Sequence, residues 1–133
     1  MGEGEPTQTP HDLAYSNDHL WVRRDGGEAL LGVTAFACDQ LGEIVYVELP
    51  EAATVLHQDE PFGVIESVKS VSDLFAPVSG LVVERNDAAV GAPEVIGQSP
   101  YGEGWLLRVS VGDEGEMDSL MDATTYRETF LGD

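Results

Sequence analysis

Gly63-Val-Ile-Glu-Ser-Val-Lys69-Ser-Val-Ser-Asp-Leu-Phe-Ala-Pro-Val-Ser-Gly80 is the stretch on which the reading of this chain turns. It holds two short alternating runs with only a few residues between them. Phe62, Val64 and Val68 are expected on one side of the first run. The second, Val71 to Ala76, is stopped by Pro77, which has no amide to donate to a ladder. Strands this close in sequence must pair as a hairpin, with its tip at Val68, Lys69 and Ser70. The tip lacks the Asn-Gly or Asp-Gly pair that usually closes such a turn. Lys69 is the only lysine of the chain, and the other basic residues are Arg23, Arg24, Arg85, Arg108 and Arg127. A guanidinium stays protonated and is a poor nucleophile, whereas a lysine amine can shed its proton and be acylated to a stable amide. A single lysine at a hairpin tip points to a primary amine needed there.

Outward from this hairpin the pattern stays one of short strands and turns. Leu20 to Arg23 leads through Arg24-Asp-Gly-Gly27 into Glu28 to Val33. Thr34 is placed to cap a short helix through Gln40, with Gly42 as its stop. Glu43 to Leu49 is the clearest strand, with Val45, Val47 and Leu49 expected on one face and Pro50 as its end. Thr54 to Leu56 and Gly80 to Glu84 read as further strands, and Asn86-Asp87 as the start of a loop. Pro93 to Ile96 reads as one helical turn with Gly97 after it. Trp105 to Val111 is a last strand. Beyond it, Met117, Leu120 and Met121 have helical spacing, and Asp122 is placed to cap a helix carrying Tyr126 and Phe130. The expected fold is mostly β: two small packed antiparallel sheets with short helices, including a C-terminal helical segment at 116–131. One domain is expected over 13–133, after a disordered tail at 1–12.

Composition narrows the function. The chain has 133 residues, 42% of them apolar, and a formal charge of −19. Phosphate neutralisation needs basic clusters, so nucleic acid is not an expected partner, and neither is an anionic membrane. No apolar run approaches the ~20 residues of a membrane span. Like-charge repulsion favours a monomer in isolation. Cys38 is the only cysteine and lies in an apolar segment, where a free thiol is usually a small buried side chain. His11, His19 and His57 lack metal-ligand spacing. The acidic opening residues carry neither an apolar signal core nor an arginine-rich transit pattern. A bacterial cytoplasmic protein is expected, or a mitochondrial one if a transit peptide has been removed.

No Ser-His-Asp set, metal cluster or phosphate loop is legible, so any difficult chemistry must belong to a cofactor. The segments Leu41-Gly-Glu-Ile-Val-Tyr-Val-Glu-Leu-Pro50, Phe62 to Gly80, Pro100-Tyr-Gly-Glu-Gly-Trp-Leu106 and His19-Leu-Trp21 together resemble the glycine cleavage system H-protein family. The likeness runs from about Leu13 to Leu131. It implies a barrel-sandwich hybrid, as in lipoyl domains, with one lipoate bound covalently per chain through an amide on Lys69. It implies that Glu66, Ser67, Val68, Ser70 and Asp73 form the motif read by the lipoate-attaching enzyme.

The resemblance further implies a carrier without catalysis of its own. Such a carrier takes the aminomethyl group of glycine from a pyridoxal-phosphate glycine dehydrogenase (decarboxylating) to a tetrahydrofolate-dependent aminomethyltransferase. Its dithiol is then reoxidised by dihydrolipoyl dehydrogenase. The neighbours Val68 and Ser70 differ from the methionines that usually flank a biotinyl lysine, and from the aspartate often preceding the lysine of 2-oxoacid dehydrogenase lipoyl domains. A lipoyl or biotinyl domain of another complex, or a protein that only relays lipoyl groups, is the alternative. Two positions depart from the family pattern: Leu20 stands where many members have glutamate, and Gly97 where asparagine is usual.

Overall fold

The computed structural model describes residues 9–132. Its elements in chain order are β1 (Ala14–Tyr15), β2 (Leu20–Asp25), β3 (Glu28–Val33), α1 (Ala35–Leu41), β4 (Ile44–Glu48) and β5 (Val55–Leu56). Then follow β6 (Pro61–Ser67), β7 (Val71–Phe75), β8 (Gly80–Arg85), α2 (Asp87–Gly91), α3 (Glu94–Gln98) and β9 (Leu107–Val111). The chain ends in a 3-10 turn, Glu114–Ser119, and in α4 (Ala123–Tyr126), which widens into π-type turns at Arg127–Leu131.

The strands form two antiparallel sheets. Six of them run in the order β1-β2-β3-β9-β8-β5, and the other three in the order β4-β6-β7. One apolar core lies between the sheets. From the larger sheet it takes Leu20, Leu31, Val82, Leu107 and Val109, and from the smaller one Val47, Ile65 and Leu74. A second cluster, around Tyr15, Trp21 and Tyr126, seats the C-terminal turns. This is the expected mostly-β barrel-sandwich architecture, with short helices added.

The smaller sheet departs from simple alternation at two places. A register shift between Ile44 and Tyr46 puts Ile44 and Val47 inside, 4% and 1% exposed, and leaves Val45 outside at 47%. A strand that gains one unpaired residue turns its following side chains to the opposite face. A second shift, between Pro61 and Gly63, makes Ile65 the fully buried residue of β6, while Val68 stands 66% exposed at the tip. Val45 therefore does not share the buried face of Val47 and Leu49, and Phe62, Val64 and Val68 are not the inward set of β6. At Gly63 the backbone of β4 leaves no room for a side chain, because a Cβ there would collide with the Glu48 carbonyl oxygen.

The helical segments were only partly foreseen. Asn86-Asp87 opens a helix, α2, and not a loop. Gly97 lies within α3 and does not stop it, since the helix runs to Gln98. The C-terminal region holds two helical pieces separated by extended backbone at Leu120. Between them, Met121 exchanges both backbone hydrogen bonds with Tyr15, at 2.7 and 2.8 Å. Asp122 caps α4 by accepting from the Thr125 amide. Of the expected tail at 1–12, residues 1–8 lie outside the described residues. Ordered contacts reach back to Thr9, which is buried, and to Pro10, whose carbonyl accepts from the Tyr15 hydroxyl.

Candidate functional site: the Lys69 hairpin

β6 and β7 pair from Pro61↔Phe75 to Glu66↔Val71, and Ser67 to Ser70 close the hairpin. The Ser67 amide donates to the Ser70 carbonyl at 2.8 Å. The Ser67 hydroxyl accepts from the Lys69 amide at 3.2 Å and the Ser70 amide at 3.1 Å. A serine side chain here replaces the backbone acceptor of an ordinary turn. That explains a tight tip without Asn-Gly, and none of its four residues has positive φ.

The tip is also pinned from outside. The Val68 amide donates to the Glu43 carbonyl at 3.0 Å, which fastens the hairpin to the turn between α1 and β4. Local sequence builds that turn. Thr34 caps α1 by accepting from the Ala37 amide at 3.2 Å, and the helix stops at Gly42, whose amide reaches the Cys38 carbonyl at 3.0 Å. Gly42 has φ 83° and ψ −146°, a combination that glycine alone adopts readily. A Cβ there would sit 3.5 Å from Cε of Lys69, so the lysine stem passes over this glycine.

Lys69 is exposed, and its side chain has no ion pair or hydrogen bond among the described residues. The five arginines are all engaged. Arg24 pairs with Glu114 and Arg85 with Asp87, while Arg108 sits among Asp25, Glu28 and Glu84. Arg23 lies over the Trp21 ring, and Arg127 donates to Thr9. Lys69 is therefore the uncommitted cation of the described surface. Beside it opens a cleft of about 600 Å³, with Gly42 on its wall and the carboxylates of Asp39, Glu43 and Glu94 among its lining.

The motif residues divide by position. Glu66 and Asp73 fall on the outward face of the three-stranded sheet, opposite Val71 and Val64 respectively, which makes them diagonal neighbours. Val68 and Ser70 are exposed beside the lysine. Ser67 is 8% exposed and its hydroxyl is spent on the turn, so it holds the tip from within. The Gly42 and Glu43 backbone contacts to the hairpin went unread. The only sign of them in the sequence was a glycine expected to end a helix.

Other candidate groups are structural. Burial pushes the Cys38 thiol up to about 12, and its Sγ lies 3.5 Å from the Ile96 carbonyl. Leu20, at the position where many family members have glutamate, is 2% exposed and packs in the core, so no carboxylate stands there. No cluster of three or more His, Cys, Asp or Glu side chains suited to a metal occurs among the described residues. No helix among them is long and apolar enough to cross a membrane.

Known proteins give this geometry its context. The profile of the family described as Glycine cleavage H-protein matches residues 13–132. The glycine cleavage system H protein of Symbiobacterium thermophilum is 52% identical over 117 residues, covering 88% of this chain and 91% of that relative. The one from Brevibacillus brevis is 51% identical, covering 88% and 93%. A solved glycine cleavage system H protein from Mycobacterium marinum superposes with TM-score 0.81 at 40% identity, covering 90% of this chain and 97% of that one. A β fold with a pinned hairpin and a near-complete match in sequence and structure lead to one conclusion: the chain belongs to the glycine cleavage H-protein family, the lipoyl carriers of the glycine cleavage system.

Proposed function

We propose that Lys69 is the residue through which this chain carries lipoate, one group per chain, and that the chain supplies no catalytic group of its own. The observation that carries the reading is a sole lysine, exposed and unpaired, on a tip fixed by Ser67 and by the Glu43 carbonyl. Attachment requires an activated lipoyl donor, such as an acyl adenylate. The ammonium of Lys69 first gives up a proton to solvent or to the attaching enzyme. The amine lone pair then forms the C–N bond, the activating group leaves with its bonding electrons, and the nitrogen loses a second proton. The product is a neutral amide, so the uncommitted positive charge of Lys69 disappears.

When bound, lipoate supplies a disulfide that accepts the aminomethyl group of glycine and afterwards a dithiol that returns electrons. The chain's own residues do the positioning. Ser67 and Glu43 hold the tip, so that the tethered group is presented from a fixed root and its effective concentration at each partner is raised. The acidic surface attracts basic partner faces and repels other carriers, which suits contacts that must form and break in each cycle. The partners in this reading are glycine dehydrogenase (decarboxylating), aminomethyltransferase, dihydrolipoyl dehydrogenase and the lipoate-attaching enzyme.

Lys69→Arg keeps the charge and removes the acylatable amine. Incubation with a lipoate-attaching enzyme is expected to leave the variant unmodified, with its melting temperature within about 2 °C of the parent. Lipoate appearing on the variant refutes the assignment.

A further inference from the structure

Thr34, Tyr126 and His19 are arranged so that one direction of hydrogen bonding satisfies all three. Thr34 is fully buried, so the proton of its hydroxyl needs a partner within the protein. Its oxygen already accepts from the Ala37 amide at 3.2 Å. The other hydrogen-bonding atom it meets among the described residues is the Tyr126 hydroxyl, at 2.9 Å. Thr34 therefore donates to Tyr126. The Tyr126 hydroxyl has one proton, which then goes to Nδ1 of His19 at 2.8 Å. Burial pushes Tyr126 up to about 12, so this hydroxyl keeps its proton near neutrality. The relay thus requires a neutral His19 ring with its proton on Nε2. A protonated ring donates from Nδ1 and reverses the relay. Tyr126 must then turn its proton onto Thr34, whose own hydroxyl proton is left without an acceptor in the interior.

One end of α1 is capped by this relay, and the other end carries the lysine-bearing tip. Seven residues are too few for a helix to hold its place alone, so α1 depends on its packing and on its end fastenings. Past its last turn lie Gly42, beneath the Lys69 stem, and Glu43, whose carbonyl accepts from the Val68 amide at 3.0 Å. We propose that Tyr126 and His19 are positioning residues for the attachment hairpin, holding its root through Thr34 and α1, and that protonation of His19 loosens it. The role in attachment rests on the reading of Lys69 as the attachment residue, whereas the coupling itself does not. The surroundings leave the titration to His19. Phe36 faces it from α1, and Tyr126 and Phe130 from the C-terminal turns, all three uncharged near neutrality. Asp18, in its own turn, is the carboxylate beside it. Burial favours the neutral ring and outweighs Asp18, so the relay is intact near neutral pH and reverses as pH falls through the depressed value.

The test follows the His19 ring and the Val68 amide of the isotope-labelled full-length chain by NMR, from about pH 7.5 to about pH 5. The Val68 amide resonance is expected to move with the midpoint of the His19 ring, and its exchange protection to fall about fivefold across it. Tyr126→Phe removes the hydroxyl and keeps the ring stacked on Tyr15, 4.8 Å between centroids. In that variant the ring of His19 should still titrate while Val68 no longer follows it. A purified ATP-dependent lipoate-attaching enzyme, with lipoate and ATP near neutral pH, gives the second readout. Ordering a loosened tip on binding should raise KM for Tyr126→Phe about threefold, with kcat within about twofold. Should Tyr126→Phe fail to fold, His19→Asn carries the NMR test, and the Val68 response should vanish there too. A Val68 amide that ignores the His19 titration in the parent, or still responds in Tyr126→Phe or His19→Asn, overturns the coupling. Parent-like KM in Tyr126→Phe overturns the positioning role. A parent chain that takes no lipoate on Lys69 refutes the underlying reading instead and leaves the NMR result standing, so the failures are distinguishable.

Discussion

Ser67 lets the attachment turn form without glycine. Its hydroxyl accepts from two consecutive tip amides, and each such bond contributes about 1 kcal/mol net. In Ser67→Ala those amides turn to water, and the tip should loosen while the core stays intact. Hydrogen exchange at Lys69 and Ser70 is expected to quicken by about 5- to 30-fold, with strand amides unchanged; unchanged exchange at the tip would mean that Ser67 does not hold it. Gly42 plays the complementary part beneath the lysine. Gly42→Ala forces a side chain into backbone that only glycine adopts readily, at a cost of about 1–3 kcal/mol. A lower urea midpoint at constant slope is the expected result. At this scale Lys69 was legible because its chemistry differs from that of every other cation in the chain. The partnership of Ser67 with its own turn was not, because a serine before a tip reads equally well as a surface residue.

Between elements, one long-range polar link joins the start of the domain to its end. Nδ1 of His19 lies 2.8 Å from the Tyr126 hydroxyl, and that hydroxyl lies 2.9 Å from Oγ1 of Thr34, the cap of α1. His19 also sits against Phe36 and Phe130. Burial holds its pKa below the usual value, with Asp18 opposing. The folded state therefore resists protonation while the unfolded chain accepts it near 6.5. The contribution of His19 to stability is complete above that value and is lost as pH falls toward the depressed folded pKa. His19→Asn keeps a residue type tolerant of the observed φ of 70° and removes the titration. The melting temperature of the parent should fall between pH 7 and pH 5 more than that of the variant; parallel curves would contradict this linkage.

Local signals located most elements, because capping and turn residues act within a few positions. Thr34, Gly42 and Asp122 each stand where the sequence puts a helix end. The inward faces of β4 and β6 were misread because a bulge inverts alternation, and the two register shifts arise from packing between strands. Helix α2 was missed because Asn86 reads as a loop starter. Its side-chain amide instead donates to the Glu103 and Trp105 carbonyls at 2.9 and 2.6 Å, a tertiary latch that local sequence does not display.

For the molecule as a whole, charge sets two opposing responses to salt. A net charge of −19 destabilises the compact state by self-repulsion and draws basic partners toward it. Raising salt from about 0.05 to 0.5 M, which shortens the screening length severalfold, should raise the melting temperature by a few degrees. The same change should slow association with the attaching enzyme. A fall in melting temperature, or faster association, would contradict this electrostatic picture. The most direct test of the central claim is the intact mass of the full chain purified from its native host, with the adduct then localised by fragmentation. One lipoyl group, carried on Lys69 and absent from Lys69→Arg, is the predicted result. A biotin-sized adduct, an adduct at another residue, or a chain left unmodified by a host that lipoylates its other carriers would contradict it.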